Sequence, residues 1–235
     1  MINESILIII PTYNEIENIN SLIETVFSVV PQAHILIVDD NSPDGTAELI
    51  NNIIKQNSSC HLMQRPGKQG VASAFLQGFR WGIDNGFDIL LAMDADFSHD
   101  PKYIPIMLNE IKNADLVIGS RNIKGGGIEN RSWIRNILTK GGSFYCQTIL
   151  KCPIQDITGG YNMWRKTTLE KIGLDNVISR GYSFQIEMKF KTFKNGLCIK
   201  EIPIIFPDRK KGQSKMSANF MLKALGDVWK IKKLA

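Results

Sequence analysis

Apolar runs and polar turns alternate along the first half of the chain with the spacing of repeated strand-loop-helix units. Ile6 to Ile10 is an unbroken run of β-branched residues and leucine, as a strand buried on both faces requires, and Pro11 stops it. Ile16, Ile19, Leu22, Ile23, Val26, Phe27 and Val30 then recur at helical spacing. Ile35 to Val38 repeats the strand, and Ala47, Leu49, Ile50, Ile53 and Ile54 predict a second helix. His61 to Gln64 reads as a third strand before a helix from Val71 to Gly86. Leu90 to Met93, with Phe87 and Ile89 ahead of it, reads as a fourth, followed by a helix through Ile104, Met107, Leu108 and Ile111. Leu116 to Gly119 is a fifth strand. Such alternation predicts an α/β fold around a mainly parallel sheet flanked by helices.

Beyond Arg121 the regularity weakens. Gly125, Gly126 and Gly127 predict a flexible loop, and a helix is expected from Ser132 to Leu150. Another helix carries Phe184, Ile186, Glu187, Met188 and Phe190, and Cys198 to Phe206 reads as one final strand. A polar loop from Pro207 to Ser217 precedes an amphipathic helix from Ala218 to Leu234, with Phe220, Met221, Leu225, Val228, Trp229 and Ile231 on its apolar side. The expected organisation is one α/β domain over residues 1–217 and a basic C-terminal helix over 218–235.

Composition narrows the function classes. A chain of 235 residues can bury a full core, and no stretch reaches the roughly 18 apolar residues of a membrane span. The start, Met1-Ile2-Asn3-Glu4, lacks the basic and apolar regions of a signal peptide, so a cytoplasmic protein is expected. Cys60, Cys146, Cys152 and Cys198 have neither zinc-ligand nor disulfide-framework spacing and are expected to be free thiols. His34, His61 and His99 are scattered and are expected to be structural or solvated. The net charge of +5 is concentrated at the end, where Arg209, Lys210, Lys211, Lys215, Lys223, Lys230, Lys232 and Lys233 face the single acid Asp227. This predicts an anionic partner, a phosphate or a membrane surface, and not a nucleic acid.

Candidate chemistry gathers at the expected C-terminal ends of the strands. Asp94 and Asp96, one residue apart, leave the fourth strand on the same side of an extended chain. In open α/β sheets ligands collect at that edge, and Mg²⁺ typically takes one or two carboxylates, filling its octahedron with water and phosphate oxygens. The pair by itself reads more often as turn or cap acids, so its neighbours decide. Asp44 is a candidate cap of the second helix, while another acid of the Asp39-Asp40 pair could hold a ribose or base. Gly67-Lys68 does not complete GxxxxGK[ST], and no GxGxxG follows a strand, which removes a nicotinamide dehydrogenase. Gly159-Gly160 permits close backbone approach; Arg131, Arg135 and Lys140 lie along the helix expected from Ser132, and Arg131 and Arg135 are either phosphate contacts or solvated helix charges.

Taken in order, Pro11-Thr12-Tyr13-Asn14-Glu15, Val38-Asp39-Asp40-Asn41-Ser42-Pro43-Asp44-Gly45-Thr46, Met93-Asp94-Ala95-Asp96-Phe97-Ser98-His99, Gly119-Ser120-Arg121 and Gly212-Gln213-Ser214-Lys215 resemble the inverting family 2 glycosyltransferases. More narrowly they resemble the dolichyl-phosphate or polyprenol-phosphate mannosyltransferases. The resemblance runs from about Ile6 to Ser217 and implies a GT-A fold and mannose transfer from GDP-mannose to a polyprenyl (dolichyl-type) monophosphate, with inversion. It implies nucleotide-sugar contacts at Pro11, Tyr13, Glu15, Val38, Asp40 and Ala95, and Mg²⁺ or Mn²⁺ and diphosphate contacts at Asp94 and Asp96. Arg121 resembles the residue facing the reacting phosphates, Arg209 and Lys215 those of a loop closing over them. Catalytic roles accordingly fall to Asp96, Arg121, Arg209 and Lys215, and the acceptor phosphate to Arg121, Arg131 and Arg135. Where some relatives carry a metal-ligating Gln, this chain has Ser98, a poorer ligand.

These residue types suit the implied reaction. Bond breaking at the anomeric carbon builds negative charge on the diphosphate, which a metal and cations stabilise. A phosphomonoester has its second pKa near 6 and needs little help from a base, so none is assigned, with Glu187 and Asp156 as the candidates. A lipid acceptor requires peripheral attachment at the cytoplasmic face of a membrane, with or without a separate membrane subunit. The rival readings are a UDP-sugar-dependent transferase of glucose or an amino sugar, and a non-catalytic nucleotide-sugar binder.

Overall fold

The computed structural model describes residues 4–129, 133–181, 183–207 and 218–233; within 133–140 and 218–225 it describes the helical backbone alone. Its strands are β1 (Ile6–Thr12), β2 (His34–Asp39), β3 (Cys60–Gln64), β4 (Ile89–Ala92), β5 (Leu116–Ser120), β6 (Gly127–Ile128), β7 (Asn162–Arg165), β8 (Ile199–Pro203) and β9 (Ile205–Phe206). Its helices are α1 (Ile16–Val29), α2 (Thr46–Ile54), α3 (Val71–Asp84), α4 (Ile104–Glu110), α5 (Trp133–Leu150), α6 (Lys166–Ile172), α7 (Ser183–Lys194) and α8 (Ala218–Lys233). Seven strands form one sheet in the order β3-β2-β1-β4-β7-β5-β8, parallel except for β7, which runs against both neighbours.

The continuous apolar strands serve two cores at once. Leu7, Ile9, Leu36, Val38, Leu90 and Ala92 face a cluster with Phe75 and Phe79 of α3, Cys146 and Leu150 of α5, and Phe184 and Met188 of α7. Ile6, Ile8, Ile10, Ile35, Ile37, Ile89 and Leu91 face Ile19, Leu22 and Val26 of α1, Ile50 of α2, and Ile104 and Met107 of α4. Alternate residues of a strand point to opposite faces, so a run without polar interruption yields helix layers on both sides.

Close helix approach uses two glycines of α3. A Cβ on Gly78 would lie 2.5 Å from Ile9 Cγ2, and one on Gly82 2.4 Å from Leu90 Cδ2. The C-terminal helix is not a free appendage: Val228 and Ile231 are buried in the first core, while Trp229 is half exposed and donates Nε1–H to Tyr145 Oη of α5 at 3.0 Å.

Four expectations differ from the structure. Pro11 does not stop β1, which runs on to Thr12 beside β2 after its pairing with β4 has ended at Ile9. The stretch from Cys198 to Phe206 is two strands, because Ile204 donates its N–H to Ser120 O of β5 but turns its carbonyl to Gly127 N–H, after which Ile205–Phe206 pairs with Gly127–Ile128. The glycine triplet is a defined turn: Gly125 has φ +88°, Gly126 N–H donates to Ile123 O at 2.9 Å, and a Cβ on Gly126 would lie 2.5 Å from Ser120 O. Strand β7 was not foreseen, since four residues after a double glycine carry too little periodicity.

Candidate functional site at the strand ends

With β2, β1 and β4 adjacent, the loops after Asp39, Thr12 and Ala92 share one edge of the sheet. Asp40 N–H donates to Thr12 O and Met93 N–H to Ile9 O, extending the ladders into the loops. Asp39 is wholly buried and takes three bonds, from Thr12 Oγ1 at 2.8 Å, Ser42 Oγ at 2.5 Å and Ser42 N–H at 2.9 Å. It builds the loop from within, while Asp40 fastens a different segment.

Asp40 pairs with the buried guanidinium of Arg65 and accepts the Gln69 and Gly70 N–H groups at 3.2 and 3.4 Å. Arg65 also donates to Ser73 Oγ and Gly70 O, so the 65–70 loop is fastened to the edge. That fastening brings Lys68 Nζ to 4.2 Å above the Tyr13 ring. Asp44 does not occupy the cap position of α2, which is Gly45 at φ +90°. It accepts from Thr46 N–H and Oγ1 with one oxygen and from Ile16 N–H with the other, joining the starts of α1 and α2. Burial pushes its pKa up, but these donors outweigh it and hold the carboxyl below its ordinary value.

After β4 the chain turns sharply. Phe97 has φ +61°, a left-handed conformation that an aromatic side chain rarely adopts. Ser98 N–H donates to Asp96 Oδ1 at 3.1 Å, and Asp94 N–H donates to His99 Nδ1 at 2.9 Å. Asp94 and Asp96 are half-buried, and the Asp94 carboxylate keeps about a third of its surface open. Among the described residues no group of three or more His, Cys, Asp or Glu gathers as a self-sufficient metal site. Two hard oxygen donors at a partly open edge fit a cation that completes its shell with water and substrate phosphates, and fit zinc or a soft metal poorly. Ser98 Oγ is buried with no hydrogen-bond partner among the described residues.

Because β7 is antiparallel, its start lies at the same edge and delivers the 153–161 loop beside the end of β5. There Arg121 Nε and Nη2 donate to Asp156 Oδ2 and Oδ1, both at 2.7 Å, and Arg121 N–H donates to Oδ2 at 2.9 Å. Burial alone pushes the Asp156 pKa up, but Arg121 and Lys189 hold it at about 2. Burial works against the Arg121 charge as well, and the Asp156 bond outweighs it, raising its pKa. Lys189 lies wholly inside α7 and donates Nζ to Asp156 O at 2.8 Å and Gly159 O at 2.7 Å. Its burial brings its pKa down to about 8. Glu201 accepts the Gln155 and Asp156 N–H groups at 2.7 and 2.9 Å.

Both candidate bases are occupied. Asp156 is engaged by Arg121 on both oxygens, and Glu187 accepts Ile178 N–H, Ser179 N–H and Lys191 Nζ at 3.2, 2.8 and 3.0 Å, away from the strand-end loops. His99, expected to be structural or solvated, is structural: it is buried beside Asp94, stacked on Tyr161 at 4.8 Å and in an edge contact with Phe206 at 5.9 Å. Arg121 lies over the ring of that same Phe206, with Cζ 5.4 Å from the ring centre. His34 and His61 stack on each other at the far end of the sheet.

Of the residues singled out in the sequence, Pro11, Tyr13, Glu15, Asp40, Asp94, Asp96 and Arg121 come together at this edge. Glu15 starts α1, accepting Asn18 Nδ2–H at 3.1 Å. Val38 and Ala95 lie just beneath, their side chains in the two cores. Arg131, Arg209 and Lys215 lie outside the described residues, and of Arg135 only the helical backbone is described.

The family model described as Glycosyl transferase family 2 matches residues 7–173. An undecaprenyl-phosphate mannosyltransferase of Micrococcus luteus is 42% identical over 223 residues, covering 95% of this chain and 92% of the relative. A polyprenol monophosphomannose synthase of Mycolicibacterium smegmatis is 42% identical over 221 residues, covering 93% and 83%. Among solved structures, glucosyl-3-phosphoglycerate synthase of Mycobacterium tuberculosis with phosphoglyceric acid superposes with TM-score 0.70 at 15% identity, over 99% of this chain and 81% of that one. The same enzyme solved with Mn²⁺, UDP-glucose and phosphoglyceric acid gives TM-score 0.70 at 14% identity, with the same coverage. Strand-end carboxylates and a buried arginine thus stand on a fold of the GT-A type, and the chain belongs to glycosyl transferase family 2, as a glycosyltransferase.

Proposed function

We propose that this glycosyltransferase moves mannose from GDP-mannose to a polyprenyl monophosphate with inversion, giving polyprenyl-phosphate mannose. The observation that carries the reading is the 42% identity to an undecaprenyl-phosphate mannosyltransferase across nearly the full length of both chains. The site chemistry supports it. Pro11, Tyr13, Glu15, Val38, Ala95 and Asp40 would border the nucleotide, with Lys68 over Tyr13 adding a cation beside the phosphates. Asp94 and Asp96 would hold Mg²⁺ or Mn²⁺, and the bound cation supplies stabilisation of the negative charge on the departing diphosphate. Arg209 and Lys215, outside the described residues, would add positive charge to that leaving group.

Arg121, pinned by Asp156 at 2.7 Å, would orient the acceptor phosphate with Arg131 and Arg135. Neither Asp156 nor Glu187 needs to take a proton, because a phosphomonoester near neutral pH is already largely a dianion. An acceptor of this kind lies in a bilayer. No helix among the described residues is long and apolar enough to cross a membrane. The lysines of the last turn of α8 beside half-exposed Trp229 suit peripheral attachment at an anionic cytoplasmic face, with or without a separate membrane subunit.

The test is transfer of radiolabelled mannose from GDP-mannose to a short polyprenyl phosphate with Mg²⁺ or Mn²⁺, against an EDTA control. Labelled lipid that disappears with EDTA is the expected result. No product, together with stabilisation by UDP and none by GDP, would replace this reading with a UDP-sugar transferase. Binding of both nucleotides without transfer to any lipid phosphate would favour a non-catalytic binder.

A further inference from the structure

His99 has no role in the reading above, yet its ring is among the most constrained groups at the edge. Its Nδ1 accepts the Asp94 N–H at 2.9 Å, which places the ring proton on Nε2, 3.9 Å from Asp94 Oδ2. The ring is fixed from three other directions. Tyr161 stacks beneath it at an interplanar angle of 6°, and Tyr161 Oη is itself tied to Asp100 O at 3.1 Å. Phe206 meets it edge-on. Gly160 leaves room for it, since a Cβ there would lie 3.2 Å from His99 Cε1.

The turn so closed is the one that carries both acids. Phe97 sits at φ +61°, and strain of this kind persists only where surrounding contacts overdetermine it. Two bonds span the turn, Ser98 N–H to Asp96 Oδ1 and Asp94 N–H to His99 Nδ1. The first uses one of the acids and would compete with a ligand for its oxygen. The second joins a backbone N–H to a ring nitrogen, so neither carboxylate takes part in it.

We propose that His99 is a positioning residue that holds the strained Asp94–Ser98 turn in the shape presenting Asp94 and Asp96 together to the metal and diphosphate. The inference rests on the reading of those acids as metal ligands. Through Phe206, shared with Arg121, the same ring also sets the spacing between the acids and the acceptor arginine.

The test is Mn²⁺ affinity, followed by the electron paramagnetic resonance of free Mn²⁺ with GDP and separately with UDP present. His99→Phe keeps a ring over Tyr161 and loses the acceptor; His99→Asn puts an oxygen near the place of Nδ1. His99→Phe is expected to weaken Mn²⁺ binding about tenfold or more, in the range found for residues that orient metal ligands, without changing nucleotide binding in EDTA. His99→Asn is expected to recover most of the loss. Wild-type affinity in His99→Phe, or equal weakening in both variants, overturns the proposal. If His99→Phe does not fold, His99→Asn against His99→Ala carries the same contrast, and equal affinities overturn it. Failure of the wild-type protein to bind Mn²⁺ with either nucleotide would instead remove the metal reading itself, and the proposal with it.

Discussion

Arg121 and Asp156 meet in a two-point fork, Nε to Oδ2 and Nη2 to Oδ1 at 2.7 Å each, with the Arg121 peptide N–H closing on the same carboxylate. The planar guanidinium matches the carboxylate in a way an ammonium cannot. Arg121→Lys is therefore expected to lower kcat/KM by on the order of a hundredfold, the scale of losing one preorganised charge-stabilising donor. Asp156→Asn should approach the same loss by releasing the arginine. Steady-state transfer assays on both variants check this, and near-wild-type rates in both would refute the role of the pair.

Asp96 stands at the open edge, and Ser98 N–H is the partner placed on its Oδ1. Asp96→Asn keeps the shape and the acceptor oxygen while removing the charge. The expected outcome is loss of turnover with an unchanged melting temperature. An active variant would sink the assignment of Asp96 to metal and diphosphate.

Acid should weaken the fold through Asp156. Its carboxyl titrates at about 2 in the folded chain against an ordinary 3.8. A depressed acid contributes stability that is complete above the unfolded pKa and is lost as pH falls through the folded one. For this group the contribution is about 2 kcal/mol, disappearing between about pH 4 and pH 2. Urea midpoints measured across that window should fall less steeply for Asp156→Asn than for the wild type.

Two glycines in helices are expected to respond in opposite directions to alanine. A Cβ on Gly78 would meet the stiff Cγ2 of Ile9 at 2.5 Å in the core, whereas one on Gly141 in α5 would have nothing within 4 Å. Overpacking should make Gly78→Ala cost about 1–3 kcal/mol. Gly141→Ala should gain about 0.5–1 kcal/mol from helix propensity. Denaturant unfolding of the two variants distinguishes them, and a stabilised Gly78→Ala would refute the close approach of α3 to β1.

The alternating pattern of apolar runs determined the first five strands, the helices between them and the parallel order, because the middle of a strand covered by helices on both faces is apolar at successive positions. The spacing of Asp94 and Asp96 at a strand end, with the flanking motifs, likewise pointed to the C-terminal edge of the sheet as the candidate site. The sequence could not show β7, whose four residues reverse direction, and with it the delivery of Asp156 and Gly160 to Arg121 and His99. Those contacts join residues 35 and more than 60 positions apart, and nothing in local periodicity encodes them. Nor could it separate Asp39, whose oxygens are consumed by Thr12 and Ser42, from Asp40 one residue later. Which segment each acid fastens, β1 and the 42 loop for Asp39 or the 65–70 loop for Asp40, depends on where donors from distant segments converge, and only the tertiary structure decides that.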